Sequence, residues 1–126
     1  MRALVVDDSR VMRTIVARIV KQLGFAVVEA AQGQEALDVL AAFPDTGLCL
    51  VDWNMPVMNG LEFVTALRAD QRWSAVTVVM VTTESELGQV EKALAAGANE
   101  YVMKPFTPEI LLDKLNLLGI SAEQPS

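Results

Sequence analysis

The stretch Leu48-Cys49-Leu50-Val51-Asp52-Trp53-Asn54-Met55-Pro56, running on through Val57-Met58-Asn59 to Gly60, decides the fold. Its four leading apolar residues show no polar alternation, which marks a strand buried on both faces, as strands of a parallel sheet are. Asp52 then appears where that strand ends. Open α/β sheets carry their chemistry at the carboxyl ends of the strands. An acid there more often just begins a solvated loop, so Asp52 matters only if other strand ends carry groups that complement it. Asn59-Gly60 elsewhere signals a hairpin, but no alternating strands flank it, and a loop is read here.

On the N-terminal side, Ala3-Leu4-Val5-Val6 is a short apolar strand ending at Asp7-Asp8. Ser9 is suited to cap the next helix. Met12, Ile15, Val16, Ile19, Val20 and Leu23 recur at helical spacing until Gly24. Arg10, Arg13 and Lys21 fall on the opposite face, with Arg18 on its flank. Residues 25–29 read as an edge strand with a polar end, and Gly33 leads into a helix through Ala36, Leu37, Val39 and Leu40 that halts before Pro44.

On the C-terminal side, a third helix buries Leu61, Val64 and Leu67. Residues 76–81 form a fourth strand ending at Thr82-Thr83-Glu84, and a helix through Leu87, Val90 and Leu94 ends at Ala96-Gly97. Tyr101-Val102-Met103 is the fifth strand, ending at Lys104-Pro105. Thr107, Pro108 and Glu109 open a last helix, which buries Ile110, Leu111, Leu115 and Leu118 and closes at Gly119. Five strands alternating with five helices predict an α/β domain, doubly wound around a parallel sheet covered on both faces. The domain is expected over residues 1–120, with a short tail over 121–126.

Composition narrows the function. The 126 residues suffice for one domain with a real core, and the apolar fraction of 52% is globular. No apolar run approaches the roughly 18 residues of a membrane span, and the N-terminus reads as lacking a signal peptide. The single cysteine, Cys49, lies mid-strand and reads as a small buried hydrophobe, which fits a reducing cytoplasm. A net charge of -6, from 16 acids against 10 bases, argues against direct nucleic-acid binding. There is no histidine. Serine-histidine catalysis, histidine metal ligation and autophosphorylation on histidine are therefore excluded for this chain.

Parallel strands share one C-terminal edge. Onto it the first strand delivers Asp7 and Asp8, the third Asp52, the fourth Thr82 and Thr83, and the fifth Lys104. Three crowded carboxylates repel unless a cation is present, and Mg²⁺ is a hard ion held by one or two carboxylates plus waters and phosphate oxygens. Lys104 beside a carboxylate nucleophile would be a fixed positive charge for a phosphoryl oxygen, and the Thr82 hydroxyl is suited to donate to the same group. Each residue alone has a bland reading. Four complementary strand ends together do not.

Val5-Val6-Asp7-Asp8-Ser9, Val51-Asp52-Trp53-Asn54-Met55-Pro56, Val81-Thr82-Thr83-Glu84 and Tyr101-Val102-Met103-Lys104-Pro105 resemble a response-regulator receiver domain over essentially the whole chain, most closely the stand-alone chemotaxis regulators of the CheY type. The resemblance implies a flavodoxin-like sheet of order 2-1-3-4-5 and a two-component switch without further enzymatic activity. By it, Asp52 would accept a phosphoryl group from a phosphohistidine on a sensor kinase or phosphotransfer protein. Asp8 would be the principal Mg²⁺ acid, Asp7 would support it, and Asp52 and the backbone carbonyl of Asn54 would complete the set. Lys104 would pair with the phosphoryl group, Thr82 would close on it, and Tyr101 would turn inward as the switch aromatic. The Lys104-Pro105 bond would be cis.

Trp53, Thr83, Glu84 and Pro105 flank the site; the bulk of Thr83 is expected to narrow phosphoryl access, and Asn54 with Glu84 to favour a labile phosphate. Asn59 stands where many relatives have an acid, with no loss of chemistry expected. Output is expected from helix four, strand five and helix five of a cytoplasmic monomer, with Lys92, Glu100, Tyr101, Met103 and Glu109 as contacts. The basic face of helix one is a candidate docking face for the kinase. A phosphorelay intermediate and the detached receiver half of a transcription regulator are alternatives within the family. An aspartyl-nucleophile phosphatase is disfavoured because Asn54 stands where such enzymes place a second acid, and a flavodoxin-like carrier because no Gly/Ser/Thr-rich loop follows the first strand.

Overall fold

The structure, a computed structural model, describes residues 1–122; the remainder of the expected tail, residues 123–126, lies outside the described residues. Five parallel strands, β1 (Arg2–Val6), β2 (Ala26–Ala30), β3 (Thr46–Asp52), β4 (Thr77–Thr82) and β5 (Glu100–Met103), pair in the order 2-1-3-4-5. Five α-helices cover them: α1 (Arg10–Gln22), α2 (Gly33–Ala42), α3 (Gly60–Ala69), α4 (Val90–Ala96) and α5 (Pro108–Leu117). The doubly wound α/β fold and the edge position of β2 are as the sequence predicts.

Strand alternation sorts the apolar residues into two cores. Leu4, Val6, Cys49, Val51, Val78 and Met80 point to the face covered by α2, α3 and α4, with Phe63, Leu67 and Ala93 packed against them. Ala3, Val5, Leu48, Leu50, Val79, Val81 and Val102 point to the face covered by α1 and α5, with Val16, Val20, Leu111 and Leu115. Cys49 is fully buried and burial pushes its thiol up to about 12, so it packs as a hydrophobe.

Helix phases differ in detail from the sequence reading. In α1 the stripe against the sheet is Val16, Ala17 and Val20, whereas Ile15 is 44% exposed and lines an apolar groove with Met12, Ile19, Pro105 and Phe106. In α3, Phe63 rather than Leu61 is fully buried. The segment expected to start helix four is a 3-10 turn over Glu84–Gln89, and α4 begins only at Val90. The tighter winding, about 3.0 residues per turn, resets the phase so that Val90 and Ala93 face inward and Leu94 does not. Ile110 is likewise exposed, and Leu118 is only partly buried. The expected tail is in part packed: Ala122 lies against the α1/α5 core, and its carbonyl accepts from the N-terminal ammonium at 2.8 Å.

One polar hub ties α3 to the loops at the far end of β4. The Arg68 guanidinium donates to the carbonyls of Gly97, Trp73 and Val76 at 3.0, 2.9 and 2.7 Å, and to Asn99 Oδ1 at 3.0 Å. Removing it takes the partner from several partly buried carbonyls, and hydrogen bonds to charged groups contribute about 1.5–3 kcal/mol. Arg68→Met is therefore expected to lower unfolding stability by about 2 kcal/mol, read as a lower urea midpoint at unchanged slope.

Candidate active site at the carboxyl edge of the sheet

The alternation that builds the cores also aims the site. Asp7 continues the Ala3, Val5 series, Asp52 continues Leu48, Leu50, and Lys104 continues Val102, so all three emerge on the α1/α5 side of the same edge. The ladder runs on to hold them: the Asp7 amide donates to the Ala30 carbonyl at 3.1 Å, the Trp53 amide to Val81 at 3.3 Å, and the Lys104 amide to Thr82 at 2.7 Å. The Lys104-Pro105 bond is cis. Gly60 lets α3 begin against this edge; a Cβ there would meet the Asp52 carbonyl oxygen at 3.1 Å. Asn59 caps α3, exchanging hydrogen bonds with Glu62 at 2.8 and 3.1 Å, a structural role that the three-residue spacing of Asn59 and Glu62 signals.

The Lys104 ammonium bridges two buried carboxylates, donating to Asp52 Oδ1 at 3.0 Å and to Asp7 Oδ2 at 3.2 Å. The other Asp7 oxygen accepts from the Ser9 amide at 2.9 Å. Asp8 is exposed at the mouth, and Asp7, Asp8 and Asp52 each offer a carboxylate oxygen within 4.8 Å of the others. Burial raises Asp52 from an ordinary 3.8 to about 6; the Lys104 hydrogen bond opposes this, while the charges of Asp7 and Glu86 add to it. Burial also disfavours the Lys104 ammonium, but Asp52 and then Asp7 outweigh it and hold its pKa above the ordinary value. Three carboxylates against one ammonium leave a surplus of hard oxygen donors, and that donor set fits a small divalent cation.

Thr82 and Tyr101 lie on the other side of the sheet. Thr82 follows Val78 and Met80, and Met80 is the β-ladder partner of Tyr101, which packs on the same core. Thr82 is buried, and its hydroxyl donates to the Thr83 carbonyl at 3.2 Å. Half-buried Trp53 packs on this core too, Thr83 is half-buried, and Asn54, Glu84 and Pro105 are exposed around the edge.

Sequence reasoning missed three polar partners. Arg13, read as part of the candidate docking face of helix one, is tucked in: it donates to the Asp7 carbonyl at 2.8 Å and to Glu29 at 3.1 Å. It is therefore no free docking cation, unlike exposed Arg10, Arg18 and Lys21. Lys114 lies over the Tyr101 ring, 4.8 Å from its centroid, and pairs with Glu100 at 3.5 Å. Glu86 accepts from Thr83. The Arg13 and Lys114 pairings have no local sequence signature, whereas Thr83 and Glu86 stand at the spacing of a capping box, a signal the sequence does carry.

The profile of the response regulator receiver domain family matches residues 3–116. This chain belongs to that family. The receiver is 46% identical over 119 residues to the chemotaxis protein CheY1 of Helicobacter pylori, covering 94% of this chain and 96% of the relative. It is 47% identical over 121 residues to a chemotaxis CheY homologue of Campylobacter jejuni, covering 94% and 93%. The structure of Vibrio cholerae chemotaxis protein CheY4 superposes with a TM-score of 0.83 at 36% identity, over 92% of this receiver and 96% of that chain. Among the described residues no helix is long and apolar enough to cross a membrane.

Proposed function

We propose that this receiver is a cytoplasmic, monomeric chemotaxis switch that takes a phosphoryl group from a phosphohistidine of a sensor kinase or phosphotransfer protein onto Asp52. The observation that carries the reading is the Lys104 ammonium, held between Asp52 and Asp7 beside the exposed Asp8. In the transfer the P–N bond to imidazole breaks, a P–O bond to an Asp52 carboxylate oxygen forms, and the imidazole leaves with a proton from solvent. Such transfers ask a protein mainly for positioning and charge neutralisation.

Asp8, Asp7, Asp52 and the Asn54 backbone carbonyl would hold Mg²⁺, with Asp8 as the principal acid, since both Asp7 oxygens are already engaged. Bound there, the ion supplies positive charge for the phosphoryl oxygens. Lys104 leaves the ion pair to meet the new group, and the Thr82 hydroxyl turns toward it. The vacated space draws Tyr101 inward, which changes the surface of α4, β5 and α5. Lys92, Met103 and Glu109 are exposed on that surface beside half-buried Glu100 and Tyr101, and a downstream protein reads it. The chain alone does no chemistry beyond its own phosphorylation and dephosphorylation, and residues 1–120 are the switch.

Trp53 fluorescence, in a Trp73→Phe background, tests the reading. Mg²⁺ is expected to change the emission, beryllofluoride to change it again, and Asp52→Asn to remove the second change; no response to either ligand would overturn the proposal. The same signal has a calculable pH dependence. The folded pKa of about 6 exceeds the ordinary 3.8, so the folded state binds the Asp52 proton more tightly than the unfolded chain does. Stability from this group is therefore present at low pH and lost as pH rises from about 4 through 6. Metal requires the ionised form, so Mg²⁺ affinity is expected to fall about tenfold from pH 7 to pH 5. A flat profile would contradict the buried carboxyl as a ligand.

A further inference from the structure

We propose that Glu86 is a positioning residue of the switch, a latch that holds Thr83, and through it Thr82, in the resting arrangement and is repelled when charge accumulates on Asp52. The inference rests on the reading of Asp52 as phosphoacceptor and adds a residue that reading does not use.

The resting arrangement is a knot of three residues. The Thr82 hydroxyl donates to the Thr83 carbonyl at 3.2 Å, and the Glu86 amide donates to the same carbonyl at 3.0 Å. In return, the Thr83 amide and hydroxyl donate to one Glu86 carboxylate oxygen at 3.1 and 3.0 Å. Hydrogen bonds to a carboxylate are roughly twice as strong as neutral ones, so Glu86 clamps the residue on which the Thr82 hydroxyl rests. To swing toward Asp52, that hydroxyl must leave the Thr83 carbonyl.

Beyond these bonds and a contact between the Thr83 and Ser85 hydroxyls at 3.0 Å, little fixes this segment. The 3-10 turn over Glu84–Gln89 contains no buried residue, and a Cβ on Gly88 would meet nothing within 4 Å. Segments with few buried contacts are those that open most readily. The clamp also lies beside the site: Val81, which leads into Thr82 and Thr83, is the ladder partner of Asp52, and its carbonyl accepts from the Trp53 amide at 3.3 Å. Phosphorylation raises the negative charge at Asp52 from one to about two, and Coulomb repulsion grows in proportion. Glu86 then moves out to solvent, Thr83 is released and Thr82 is free to turn. Linkage is reciprocal: whatever the phosphoryl group does to the latch, the latch does to phosphoryl binding.

The test compares Glu86→Ala and Glu86→Gln with Glu91→Gln, which removes an equal charge from an exposed position on α4. Each is made in the full chain with Trp73→Phe, and beryllofluoride is titrated in saturating Mg²⁺ while Trp53 is followed. Glu86→Ala is expected to bind the mimic about tenfold more tightly, a coupling in the usual range. Glu86→Gln keeps an acceptor oxygen but loses the charge, and is expected to gain about threefold; Glu91→Gln stays within about twofold of wild type by the same coupling argument. Affinity for Mg²⁺ alone does not rise in any variant. A merely structural Glu86 would lower stability without tightening the mimic. In wild type the mimic is also expected to speed hydrogen exchange at the Thr83 amide.

Unchanged or weaker mimic binding in both Glu86 variants, or a Thr83 amide indifferent to the mimic, would overturn the latch. Wild type that binds the mimic while the variants are indifferent removes the latch alone. Wild type that never binds it removes the phosphoacceptor reading as well.

Discussion

Asp52→Asn is expected to abolish covalent phosphate incorporation, whether the donor is a phosphorylated partner kinase or a small phosphoramidate. The substitution keeps the shape of the side chain but removes the anionic oxygen proposed to attack phosphorus. Neither neighbour replaces it. Asp7 is buried with one oxygen on the Ser9 amide and the other on Lys104, and Asp8 is exposed and is proposed as the principal metal acid. The same variant is expected to fold at least as well as wild type without metal, because it removes a carboxyl that burial and the Asp7 charge raise to about 6. A variant that loses labelling together with its fold would not carry the point; circular dichroism and the urea midpoint are therefore read alongside. Residual labelling near the wild-type level would contradict the assignment of the nucleophile.

Lys104→Ala is expected to cost about 3 kcal/mol of stability without metal and most of the phosphotransfer rate. Its ammonium is the cation within hydrogen-bonding distance of both Asp7 and Asp52. Deleting one partner of a buried ion pair leaves the other uncompensated, which typically costs 3–5 kcal/mol; the partly open edge places this case at the lower end. The diagnostic is the response to Mg²⁺. A divalent cation neutralises the stranded carboxylates, so added Mg²⁺ is expected to stabilise Lys104→Ala more than wild type. Equal Mg²⁺ stabilisation in the two proteins would show that Lys104 and the metal do not share these acids.

The sheet was legible because its strands are unalternated apolar runs, each ending in a polar group at one edge. The same runs, counted in twos, explain why Asp7, Asp52 and Lys104 meet while Thr82 and Tyr101 face the opposite core. Helix faces were less legible. Ile15, Leu94 and Ile110 fit the spacing of a buried stripe, yet a helix apolar over more than its contact face leaves the surplus exposed, and the 3-10 turn before α4 shifts the phase. Phe63 was overlooked in favour of Leu61 one helical edge away. Arg13, Arg68, Glu86 and Lys114 look like surface charges in the sequence. The partners of Arg13, Arg68 and Lys114 are backbone carbonyls, acids and a ring brought close only by folding, so no local pattern announces them; Glu86 instead follows Thr83 at capping-box spacing, a pattern that was there to read.

The most direct test of the central claim is to locate the phosphoryl group itself. The chain is phosphorylated in Mg²⁺ and treated with borohydride, which reduces an aspartyl phosphate to homoserine, and its peptides are then mapped by mass spectrometry. The account predicts homoserine at position 52 and at no other aspartate. Homoserine at Asp7 or Asp8, or none anywhere in a chain that retains label, would contradict it.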